Sequence, residues 1–191
     1  KYDLDQAELK PYFQLDKMMD AMFDSAGRLY GMKFTENTGA VPVFHPDVRT
    51  FEVSRDGKVI GLFYLDNYAR PGKRSGAWMT TYKDQHKLGN SNLILASNNN
   101  NFTKPAAGET TLISLDDAST LFHEFGHAIH YYNYNITYPT LGETPRDYVE
   151  FPSQVNENWL IMPYVLQKYA VHYKTGESIP AELLAKVGSS D

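Results

Sequence analysis

Apolar residues recur at helical spacing over Leu15–Tyr30, where Met18, Met19, Met22, Phe23, Ala26 and Leu29 share one side of the turn. The spacing predicts an amphipathic helix, and Gly31 is a plausible stop for it. From residue 41 to 65 the texture changes to short β-branched and aromatic runs. Residues 48–53 and 59–65 flank Asp56-Gly57, a pair suited to a tight hairpin because glycine tolerates positive φ. Residues 68–75 are rich in Arg and Lys and read as a solvated loop. Leu93, Ile94 and Leu95 predict a further strand over residues 92–97.

The second half returns to helical spacing. Ser114, with Asp117 three positions on, has the capping-box arrangement ahead of an apolar-periodic segment, which predicts a helix over Leu115–Tyr132. Thr144, Pro145 and Asp147 mark a second start, with the helix running toward Tyr173 and Pro152 as a kink or a later start. Gly176 ends it, and residues 180–186 open a short last helix. Strands followed by helices predict an α+β fold with a small mixed or antiparallel sheet. Three regions follow: a helical segment over 1–40, a sheet region over 41–113 and paired helices over 114–191.

Composition narrows the function classes. The 191 residues hold 18 Lys plus Arg against 23 Asp plus Glu, a net charge of −5 that argues against a nucleic-acid partner. Cysteine is absent, which removes disulfides and thiolate metal sites. The sequence has no run of about 18 apolar residues to span a membrane. A soluble protein is expected, cytoplasmic or periplasmic. The first five residues, Lys1 to Asp5, read as an internal cut in a longer polypeptide.

The chemistry concentrates in His123-Glu124-Phe125-Gly126-His127, an HExxH motif inside the predicted helix. Positions i and i+4 stack on one helix face, so His123 and His127 can present two imidazoles to one ion. Glu124 lies about 100° further round, near a metal-bound water but not itself a ligand. A carboxylate there can accept the water's proton and pass it to a leaving amine. A catalytic zinc wants three protein ligands and an open position. Glu143, Glu150 and Glu157 all lie on or near the following helix, and spacing alone does not choose among them.

Residues 121–130 (LFHEFGHAIH) and 146–159 (RDYVEFPSQVNENW) resemble the thimet oligopeptidase and peptidyl-dipeptidase family of zinc metallopeptidases, as do Gly76-Ala77-Trp78-Met79 and Asn101 to Pro105. The wording Pro-Arg-Asp-aromatic-Val-Glu-Phe-Pro-Ser-Gln is most similar to the bacterial peptidyl-dipeptidases. The resemblance implies one Zn2+ per chain held by His123, His127 and Glu150, with Glu124 as base. It also implies a zincin-like region within a larger, mainly helical peptidase that cuts short peptides and releases C-terminal dipeptides. Family members carry transition-state Tyr and His donors beyond the third ligand, so this segment alone is expected to turn peptides over poorly. The remainder of the parent chain is thus an expected partner. Between Leu141 and Arg146 the chain reads Gly-Glu-Thr-Pro, two residues shorter than the family's usual loop.

A ligating histidine usually donates its second N–H to an acceptor. Ser153, Gln154 and Glu157 share the helix face of Glu150, and Gln154 is the preferred orienter. Arg146 resembles a family arginine near the site. His45, His86 and His172 lack a partner pattern and read as structural, and His130 reads as core-satisfied or exposed. Zincin-type peptidases use an edge strand to pair with extended substrate, and residues 92–97 are the candidate. Two other readings compete: an internal oligopeptidase of the same family, and a non-catalytic metal- or peptide-binding segment. The intact Glu124 counts against the second.

Overall fold

The computed structural model describes residues 6–89 and 92–188. The expectation about residues 1–5 therefore lies outside the described residues. A short helix α1 (Gln6–Leu9) precedes α2 (Leu15–Tyr30). Gly31 ends α2 in the left-handed conformation at φ 66°, as its position suggested. Five strands follow: β1 (Met32–Glu36), β2 (Arg49–Arg55), β3 (Lys58–Tyr68), β4 (Trp78–Lys83) and β5 (Ile94–Phe102). The rest is helical: α3 (Leu115–Tyr132), α4 (Glu150–Glu157), α5 (Pro163–Tyr169) and α6 (Ala181–Gly188). The arrangement is α+β with one small mixed sheet.

Asp56 at φ 50° and Gly57 at φ 74° make the tight turn that joins β2 to β3. The sheet order is β1-β2-β3-β5-β4, with β3 and β5 parallel and the other neighbours antiparallel. This order corrects one expectation. The strand over residues 92–97 is not at an edge: it begins at Ile94, runs on through the asparagines to Phe102, and sits between β3 and β4. Strand β5 is buried almost throughout, as fits an inner strand, whereas β4 is half-buried and ends the strand order among the described residues. Strand β1 also lies earlier than the expected sheet region.

Helix α3 lies across the sheet and buries Leu121, Phe122, Phe125, Ala128, Ile129 and Tyr132. Phe125 meets Phe63 from β3 at 5.5 Å and Phe23 from α2 at 5.7 Å, in an aromatic cluster that joins both helices to the sheet. Tyr132 lies so close to β3 that a Cβ on Gly61 would stand 2.7 Å from its ring. Its hydroxyl donates to the Leu62 carbonyl at 2.8 Å.

The second helical stretch differs from expectation. Thr144 does not open a helix. Pro145 to Val149 form turns, and α4 begins at Glu150. Starting there puts Pro152 in the first turn, where a missing N–H costs no intrahelical bond. Nor does one helix continue to Tyr173. Pro163 opens α5, and Met162 before it is extended at ψ 128°, the conformation that proline imposes on its predecessor. The loop over residues 68–75 is less solvated than its composition suggested, because Lys73 is buried against Asp66.

Candidate metal centre

Helix α3 supplies the first part of the site through its start. Ser114 Oγ accepts from the Asp117 N–H at 3.0 Å, and the Asp117 carboxylate accepts from the Ser114 N–H at 3.1 Å. This reciprocal cap fixes where the helix begins, and the four-residue spacing puts His123 and His127 on one face of it, with ring centroids 5.0 Å apart. Helix α4 packs directly on α3. Asn156 donates to the Phe122 carbonyl at 2.6 Å from a buried position, and Gly126 leaves the gap that α4 fills.

That packing brings Glu150 Oε2 to 3.0 Å from His123 Nε2 and 3.2 Å from His127 Nε2. Ligand atoms of the three residues lie within 4.8 Å of one another, the only such group among the described residues. Two imidazole nitrogens and one carboxylate oxygen form a donor set suited to zinc. The Ser153 hydroxyl donates to the same Glu150 oxygen at 3.0 Å. Glu143 and Glu157, the other acidic candidates, do not join the group. Glu143 instead lines an open groove with Arg146, Val149 and Tyr131.

The contact on the far nitrogen of His123 is made by Glu157, whose Oε1 lies 2.5 Å from Nδ1. Gln154 is exposed and does not make this contact. Seven residues separate Glu150 from Glu157, two turns of one face, and that spacing was the available signal. Ser119 reaches the other Glu157 oxygen at 3.5 Å. His130 is half-buried against Tyr134, and burial lowers its pKa.

Glu124 is 9% exposed and faces β4. Burial raises its pKa, against the nearby His123 and a hydrogen bond from the Met79 backbone. Burial also acts on Glu150, but the Ser153 hydroxyl and the two histidines together hold its carboxyl below the ordinary range. A groove of about 330 Å³ passes over these groups between Ala77, Trp78 and Met79 on one side and Tyr131 and Val149 on the other.

Residues 1–190 match the model of peptidase family M3. The chain belongs to this family. As an M3 member it is 46% identical over 191 residues to a dipeptidyl carboxypeptidase of Escherichia coli, covering 98% of this chain and 28% of that relative. The dipeptidyl carboxypeptidase of Salmonella typhimurium is 44% identical over 187 residues, with 96% and 27% covered. Oligopeptidase A of Escherichia coli is 39% identical over 192 residues, with 97% and 28% covered. This M3 segment thus spans little more than a quarter of the length of these relatives. No helix among its described residues is long and apolar enough to cross a membrane.

Proposed function

We propose that this segment carries the metal-binding and proton-transfer part of a zinc peptidase active centre. In the full-length protein that centre hydrolyses short peptides and releases dipeptides from their C-termini. The observation that carries the reading is the convergence of His123, His127 and Glu150 beside the buried Glu124.

His123 and His127 through Nε2, with Glu150 through Oε2, are the residues that would hold zinc. When bound, zinc polarises a scissile carbonyl and makes water acidic near neutral pH. Glu124 has the basic role. Its partial desolvation strengthens the carboxylate as a proton acceptor, so it takes the proton of the attacking water and returns it to the leaving amine. Glu157 holds the His123 Nδ1 proton, which leaves Nε2 free as a donor. Ser153 keeps one Glu150 oxygen in place. Strand β4, which ends the strand order among the described residues, offers its outer edge to an extended peptide, so the edge role passes from residues 92–97 to Trp78–Lys83.

The likeness to oligopeptidase A supports a second reading, internal cleavage of short peptides. One experiment separates the two. The full-length protein is given a short peptide with a free C-terminus and the same peptide amidated, and the products are identified by mass. Dipeptide release that depends on the free end supports the first reading. Equal internal cleavage of both supports the second. No cleavage of either, with zinc bound, overturns both.

A further inference from the structure

Strand β5 carries four consecutive asparagines, and three of them are buried. A buried amide on an inner strand is costly without hydrogen-bond partners, so the partners of Asn98, Asn99 and Asn101 show what the row holds. Alternation sends the amides to opposite faces. On the helix side, with its amide turned so that both atoms are satisfied, Asn98 donates through Nδ2 to the Glu124 carbonyl at 3.0 Å and accepts through Oδ1 from the Phe125 N–H at 2.8 Å. On the other face, Asn99 Nδ2 donates to the Trp78 carbonyl at 3.2 Å and to Ser97 Oγ at 3.0 Å. Asn101 Nδ2 donates to two carbonyls at once, Arg74 at 2.8 Å and Gly76 at 2.6 Å.

One strand thus grips the peptide unit after Glu124 and the segment leading into β4. That segment matters because Ala77, Trp78 and Met79 wall the groove and the Met79 N–H supports the Glu124 carboxylate. We infer that Asn99 and Asn101 are positioning residues that set the groove wall, Ala77 to Met79, against Glu124. Neither touches the reacting atoms. Asn101 is the stronger of the two, because its one amide holds two carbonyls, those of Arg74 and Gly76, in the loop that leads into β4. The inference rests on the peptidase reading above.

The test substitutes Asn101→Asp in the full-length protein. The change keeps the shape but replaces the double donor with an acceptor facing two carbonyl oxygens. Asn101→Ser is the milder companion, should the first variant fold poorly. Zinc occupancy, thermal midpoint, amide exchange at residues 76–79, and kcat and KM on an unblocked peptide are measured together. Faster exchange at 76–79 and kcat per bound zinc lower by about tenfold to a hundredfold are expected, with zinc occupancy kept. Unchanged kcat per bound zinc, or losses that merely follow a lower midpoint and lower zinc occupancy, would overturn the inference and leave a structural role. If the unsubstituted protein binds zinc and cleaves no peptide, the peptidase reading fails first and takes this inference with it.

Discussion

Gly126 faces Ser153 so closely that a Cβ on the glycine would lie 2.7 Å from the Ser153 Cα and 2.8 Å from the Asn156 Cβ. A glycine in mid-helix costs about 0.5–1 kcal/mol against alanine. Helix α3 carries that cost between its two histidines because α4 must come this near to put Glu150 beside them. The middle of the HExxH motif is thus as much a packing device as a spacer.

Gly126→Ala tests which effect wins. Helix propensity favours the substitution by about 1 kcal/mol, but the atoms it meets are backbone and Cβ, which cannot swing aside. Overpacking of this kind costs about 1–3 kcal/mol, so α4 should shift and carry Glu150 away. Zinc affinity is expected to fall about tenfold or more, measured by competition with a chelator. Unchanged affinity would mean that α4 can take up the strain without moving its carboxylate.

Ligand and base should separate cleanly. His123→Ala removes one of three donors and should abolish most zinc binding. Glu124→Gln keeps the metal, because Glu124 stands outside the convergent group, yet it should remove nearly all peptide hydrolysis by the full-length protein. Zinc content by elemental analysis and turnover on one peptide make the comparison. Equal loss of metal in both variants would contradict the two roles.

Two neighbours on α4 offer a sharper contrast. Glu157→Gln should weaken zinc binding by about 10–100-fold, since it removes the carboxylate that orients the His123 ring. Gln154→Ala should leave affinity within about twofold, as its side chain is exposed. Titration with zinc at fixed pH decides between them. A larger effect from Gln154 would return the orienting role to that residue.

Local signals carried α2, α3 and the hairpin, but not the Thr144 start or a single helix running to Tyr173. The Ser114 cap and the Gly31 stop are read from side-chain chemistry within four residues, so the ends of α2 and α3 were legible. The HExxH pair was legible for the same reason. Strand order was not, because it depends on which strand β3 takes as its parallel neighbour across a long connection. The partners of the asparagines on β5 were not legible either, because only packing sets Asn98 against α3, Asn99 against the Trp78 carbonyl and Asn101 against the Gly76 carbonyl. Glu157 rather than Gln154 meets His123 Nδ1, and rotation is the reason. Four residues overshoot a helix turn and seven nearly complete two, and the short α4 leaves no slack for the difference.

The last prediction concerns acid stability and lies away from the site. Asp66 on β3 is 1% exposed, and its carboxylate accepts from Arg70 at 2.7 and 2.9 Å and lies 3.1 Å from the Lys73 ammonium. Burial alone would raise its pKa, but the hydrogen bonds from Arg70 and Lys73 outweigh burial and hold it below the ordinary carboxylate range. Its folded value is therefore lower than its unfolded one, near 3.9. The contribution is present in full above about pH 4 and is lost as pH falls through the folded value. Lys73 adds to the cost of losing it. Its amine is buried and also donates to the Asp66 and Tyr68 carbonyls, so it has no exposed position to retreat to. Asp66→Asn should destabilise the fold by about 3–5 kcal/mol at neutral pH, the range for breaking one side of a buried pair. It should also flatten the decline in thermal midpoint below pH 4. Melting curves of both forms between pH 3 and 7 check the two effects together. A variant that melts with the parent at pH 7, or declines as steeply in acid, would show that Asp66 is not the residue whose charge matters.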